Sequence, residues 1–126
     1  MKYENEIFKI LCAISLTMIL SLIFINKCSA QSWTANDMNN VSYDMSNYTN
    51  KATLVDISAH WCGPCWAWHT GGVMEELYHD FGPDGTDEFM VFFIDGDAAS
   101  SVSLLNGASG SVGNWVTGTP YPLIGP

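Results

Sequence analysis

Hydrophobic and polar positions divide this chain into stretches of different character. From Ile7 to Ile25 it is almost unbroken apolar, "IFKILCAISLTMILSLIFI". That run approaches the length that crosses a bilayer and has no polar face, which opposes reading it as a core helix. Residues 31–50, "QSWTANDMNNVSYDMSNYTN", are rich in Asn, Ser, Thr and Asp and predict a polar lead-in with one short strand or helical turn. "KATLVDISA", 51–59, sets Leu54, Val55 and Ile57 around Asp56 and predicts a buried strand. From Cys65 to Phe81 the spacing is helical, with Trp66, Val73, Leu77 and Phe81 mostly on one side. Gly71 and Gly72 interrupt that helix and bend or loosen it. "GPDGTDE" is a turn by composition. "FMVFFID", 89–95, is a second strand, apolar throughout, of the kind buried in a parallel or mixed sheet. Beyond it, "GDAASSVSLLNGASGSVGNW" predicts loop with a short helix at "SSVSLLNG", and "TGTPYPLIGP" predicts turns with a short strand at "YPLI". Strand, helix, strand in this order is a β-α-β unit.

The leader changes the setting of everything after it. Lys2 and Lys9 flank the start of the apolar run, and "NKCSA" then "QSW" follow it. A basic start, an apolar stretch and small residues before a polar one describe a secretory signal peptide, cut between Ala30 and Gln31. Glu4 and Glu6 dilute the basic start and the run is long, so an uncleaved anchor is a second reading. Lipid attachment at Cys28 is a third, opposed by Lys27 directly before it. Each sends the rest of the chain out of the cytosol: periplasmic, extracellular, or tethered to a membrane and facing outward. The 126 residues then divide into a leader or anchor at 1–30, the lead-in at 31–50 and a single domain at 51–126.

Charge narrows the partners. The chain has 13 Asp and Glu against 4 Lys and Arg, and past residue 30 its one basic side chain is Lys51. That balance opposes nucleic acid and anionic lipid, and leaves membrane contact to residues 7–25 alone.

The cysteines carry the chemistry. Of Cys12, Cys28, Cys62 and Cys65, only the last two remain once the leader is removed. Two cysteines three positions apart close too small a loop to staple a fold, so a redox role gains over a structural one. Their place at a strand-to-helix junction gives it a mechanism. Unsatisfied N–H groups and the positive end of the helix dipole stabilise a thiolate there. Gly63 permits a tight approach, and Pro64 starts the helix without wasting an N–H. Cys62 is then placed to attack and Cys65 to resolve the mixed disulfide.

"LVDISAHWCGPC" resembles the active-site segment of the thioredoxin family, "VDFWAxWCGPC" in its usual form. Leu54, Val55, Asp56, Ala59, Trp61, Cys62, Gly63, Pro64 and Cys65 all stand where that pattern wants them. "FFIDGD" resembles the family's next central strand, and the likeness covers about residues 50–97. It implies a thioredoxin-like α/β fold: a central mixed sheet flanked by helices, here lacking the closing hairpin and final helix. An open sheet edge follows from that lack and invites pairing with another chain. The resemblance also implies Cys62 as nucleophile, Cys65 as resolving thiol and Asp56 as a buried carboxylate taking the Cys65 proton. An ordinary strand Asp is the plainer reading of Asp56. Trp61 and Trp66 would shape a docking face, each equally readable as core. Trp66 replaces a basic residue, Thr70 a helix-kinking proline and Val91 a lysine. Thr119-Pro120 is read either as the family's cis-proline pair or as part of a plain loop.

Rival chemistries are thinner. Cys62, Cys65 and His69 supply C-x-x-C-x-x-x-H, three of the four ligands of a structural zinc, so no metal is assigned. No cofactor beyond the Cys62–Cys65 disulfide itself is called for. The expected function is a thiol–disulfide oxidoreductase of reductase type, acting on protein thiols and disulfides with an electron donor of unspecified identity. The alternatives are a non-catalytic binding module on the same scaffold, or the N-terminal piece of a larger secreted protein.

Overall fold

The computed structural model describes residues 32–126. The leader expected at 1–30 lies outside them. No helix among the described residues is long and apolar enough to cross a membrane.

The β-α-β unit forms as its apolar pattern dictates. β3 (Ala52–Ser58) and β4 (Phe89–Asp95) run parallel in register from Ala52 opposite Phe89 to Ser58 opposite Asp95. Between them the helical stretch is two helices, α1 (Gly63–His69) and α2 (Val73–Phe81). Gly72 sits at the break with φ +80°, a left-handed conformation that costs a side chain energy. The expected bend is therefore a full interruption. α3 (Val102–Leu105) is the short helix foreseen in the Gly/Ser region, capped by the Ser101 hydroxyl, which accepts from the Leu104 amide.

β5 (Leu123–Ile124) pairs parallel with β4 on the side away from β3, giving the order β3-β4-β5. The main sheet is thus parallel throughout. The antiparallel component expected within it lies instead in a separate hairpin, β1 (Thr34–Asn36) with β2 (Ser42–Asp44), followed by a 3₁₀ turn at Met45–Tyr48. The polar lead-in is therefore more structured than its composition suggests. Asp37 ties the hairpin loop, accepting from the amides of Asn39 and Val41 at 2.9 Å each.

Alternation along β4 builds both layers. Val91 and Phe93 face one way, into a core with Met74, Leu105, Trp115, Tyr121 and Leu123. Phe92 faces the other way, where Trp33, Tyr43 and Tyr48 meet it edge-on at 5.4–5.9 Å. Those three aromatics are why the lead-in docks. They cover β4 but leave β3 bare, so Val55 and Ile57, on the Phe92 face, stay exposed.

Candidate functional site

β3 ends at Ser58, and the chain turns through Ala59, His60 and Trp61 into α1. The turn is fixed by the Cys62 amide, which donates to the Ala59 carbonyl at 2.9 Å. Buried His60 anchors it from the side. Its carbonyl accepts from the Val112 amide and the Trp115 indole, and its ring Nδ1 lies 2.8 Å from the Ser100 hydroxyl.

Cys62 and Cys65 are joined in a disulfide, their Cα atoms 5.2 Å apart. Cys62 is the N-cap of α1, with Pro64 in the first turn. Its Sγ accepts from the Cys65 amide at 3.3 Å, so one of the helix's free donors already points at the first sulfur. Gly63 faces open space. A cleft of about 390 Å³ opens beside the pair, lined by Ile57, Ala59, Trp61, Cys62, Cys65 and Asp97 among others.

Trp61 stands 60 % exposed at this cleft, so it is not a core aromatic. Its indole donates to Asp97 Oδ2 at 2.7 Å. The Ala99 amide and that indole hold the Asp97 carboxyl below its ordinary range. Ile57 was expected only as a buried strand position, yet it is exposed at the cleft, and Asp97 was given no role at the site. The sole signal for Ile57 was its place at the apolar end of β3, and none marked Asp97 apart from its neighbours. Trp66 turns the other way. It stacks on His69 at 5.5 Å and meets Trp115 edge-on at 5.0 Å, half-buried and absent from the cleft. The expected docking pair is therefore split, with Trp61 at the cleft and Trp66 bracing the loop behind it.

Asp56 sits on β3 opposite Phe93, on the helix-covered face. Its Oδ1 accepts from the Ser58 hydroxyl at 2.9 Å, and its Oδ2 is buried with no partner. An unpaired buried carboxylate oxygen is costly and marks a group with something left to bind.

His69, one turn beyond Cys65, is buried in the aromatic core rather than offered as a ligand. Nδ1 lies 3.3 Å from the Tyr121 hydroxyl and Nε2 3.3 Å from the Thr119 hydroxyl. Burial holds its pKa below the ordinary histidine value.

The Thr119–Pro120 bond is trans, as are all peptide bonds in the described residues. The cis-proline reading is thereby overturned. Pro120 is exposed, and neither it nor Thr119 lines the cleft beside the cysteines. The reason is topological. A turn with Gly118 at φ +88° sends the chain toward the far edge of β4, where Phe93 N donates to Pro122 O at 3.0 Å.

No family model matches this sequence, and no curated protein does either. Solved structures are similar to it, two of them from bacteria. One is a provisionally assigned protein disulfide isomerase from Bacteroides thetaiotaomicron, at 20% identity and TM-score 0.55. The match covers 77% of this chain and 55% of that one. The other is a provisionally assigned thioredoxin from Neisseria meningitidis, at 13% identity and TM-score 0.52, covering 76% of this chain and 57% of that one. The chain thus spans little more than half the length of either structure. The fold is thioredoxin-like.

Proposed function

We propose that this chain is a thiol–disulfide oxidoreductase acting on protein substrates outside the cytosol. The observation that carries the reading is the Cys62–Cys65 disulfide at a strand-to-helix junction, with Cys62 Sγ on the Cys65 amide at the mouth of an exposed cleft. In the reduced state the Cys62 thiolate attacks a substrate disulfide and one substrate sulfur leaves as a thiolate. Cys65 gives up its proton, Asp56 being the proposed acceptor, and attacks Cys62 Sγ. The second substrate sulfur leaves, the substrate gains two thiols, and the Cys62–Cys65 dithiol has become the disulfide. Regeneration needs a dithiol donor. The resemblance of CGPC to the reducing branch of the thioredoxin family supports the reductase direction, and the apolar run at 7–25 supports export.

The test is the redox equilibrium of Cys62 and Cys65, read by alkylation across thiol–disulfide buffers. A potential near the thioredoxin value of about −270 mV is the expected result. A potential equal to that of an unfolded peptide bearing CGPC would sink the proposal and leave a binding module as the better reading.

A further inference from the structure

Behind the cysteines, α1 carries His69 into a polar group in the interior. Three ionisable side chains meet there. His69 Nδ1 lies 3.3 Å from the Tyr121 hydroxyl, and that hydroxyl lies 3.3 Å from Glu75 Oε1. His69 Nε2 lies 3.3 Å from Thr119 Oγ1. None of the four residues lines the cleft beside the disulfide. His69 and Tyr121 are buried, and Glu75 Oε2 is buried without a partner among the described residues.

The group is one proton short of filling its contacts. Thr119 donates its only hydroxyl proton to the Trp115 carbonyl at 2.8 Å. His69 Nε2 must then be the donor to Thr119, which leaves Nδ1 bare in the neutral ring. Nδ1 and Glu75 Oε1 are both acceptors, and the one hydroxyl between them has one proton. Whichever acceptor it serves, the other goes without. A proton added at either end completes both contacts. Buried acceptors without donors are costly, so the group favours receiving one. Burial, and then the charge of Glu75, keep the Tyr121 proton on its oxygen, so that hydroxyl can hand a proton along without losing its own. Burial also keeps the His69 ring neutral, with its basic nitrogen free.

A proton source lies close by. Asp56 stands opposite Phe93 in the sheet, and the His69 ring meets the same Phe93 edge-on at 6.1 Å. The Asp56 charge acts on both His69 and Tyr121. Cys65 precedes His69 by one turn of α1. Among the described residues the further titratable neighbour is Tyr78 of α2, whose ring meets Tyr121 at 5.9 Å.

We propose that the Glu75–Tyr121–His69 group receives the proton that Cys65 gives up to Asp56 as the disulfide closes. The Cys65 sulfur bonds to Cys62 Sγ, the substrate sulfur leaves as a thiolate, and the proton passes from the Asp56 carboxyl to the group. All three residues act through Asp56 and none touches sulfur. That role rests on the oxidoreductase reading above.

Reduced protein is mixed with hydroxyethyl disulfide, quenched with acid and weighed by mass spectrometry, which separates the first attack from resolution of the mixed disulfide. Glu75→Gln is the decisive variant. Its amide donates to Tyr121, which then donates to His69, so both contacts are made and no proton can be added. It should melt no lower than the parent protein. We expect its resolution step to slow about tenfold and the mixed disulfide to accumulate, with the first attack unchanged. A pH series gives a second reading. Protonating His69 fills the group in advance, so resolution in the parent should slow as pH falls below about 6.5. That limb should be absent from Tyr121→Phe, where His69 and Glu75 are no longer joined. Resolution at the parent rate in Glu75→Gln would overturn the proposal. Equal slowing of both steps would overturn it too, as the mark of a structural defect. If Glu75→Gln misfolds, Tyr121→Phe carries the same test, with slowed resolution expected and parental resolution fatal. A parent protein that forms no mixed disulfide would end the oxidoreductase reading and this role together. Normal turnover with indifferent variants would end this role alone.

Discussion

The contact from the Cys65 amide to Cys62 Sγ makes the two cysteines unequal, because the first sulfur has a donor that stabilises it as a thiolate. Cys62→Ser should therefore abolish turnover. Cys65→Ser should keep the first attack and hold a mixed disulfide, visible as an added mass that reductant removes. Gly113 lies so close to Trp66 that a Cβ there would meet the ring at 2.2 Å. Gly113→Ala should cost about 1–3 kcal/mol in denaturant melts, the usual range for overpacking. His69 makes stability depend on pH. Its folded pKa is below the unfolded value, so the unfolded chain takes up its proton first and stability falls as pH drops from about 6.5. Thermal melts between pH 7 and 5 should show that fall, with a shallower slope in His69→Gln. The sequence made Cys62, Gly63, Pro64 and Cys65 readable because local spacing alone places them at a helix start. It hid the burial of His69, which depends on Tyr121 and Thr119, some fifty residues away.

At the scale of elements, β3 and β4 were legible almost to the residue, since long apolar runs bounded by turns leave few alternatives. The break between α1 and α2 was half legible. Two glycines marked it, but the left-handed φ at Gly72 was not readable from them. A Cβ at Gly72 would meet nothing within 4 Å, so substitution there tests backbone conformation alone. Gly72→Ala should cost about 1–2 kcal/mol, measured by chemical denaturation, and leave the redox potential unchanged. The β1–β2 hairpin was not legible, because its Asn- and Ser-rich composition reads as loop. What builds it is the packing of Trp33, Tyr43 and Tyr48 on Phe92, a tertiary override of local preference. The placement of β5 was hidden for a related reason. A strand of two residues carries no periodicity, and its partner is chosen by the whole sheet.

Across the molecule, the excess of 13 acidic over 4 basic side chains sets how partners arrive. Steering by such a field is screened by salt. Reduction of a Lys-rich protein substrate should slow as ionic strength rises, while reduction of hydroxyethyl disulfide stays level. Stopped-flow rates across a salt series would show the difference. The core that supports the site closes late in the sequence. Leu123 lies beside Phe93 in the sheet, and its carbonyl accepts from the Met38 amide at 2.9 Å. Residues 121–124 thus tie the hairpin at the front of the domain to its middle strand. A polypeptide made from its N-terminus delivers these residues only after β1 to β4 and the cysteine pair. Until they emerge, β4 has an unsealed side and the His69 ring lacks its neighbour, the Tyr121 hydroxyl. Cys62 and Cys65 are therefore available to oxidants and foreign thiols before the strand beside β4 is in place, and the nascent chain must be shielded until then to keep its own cysteine pair.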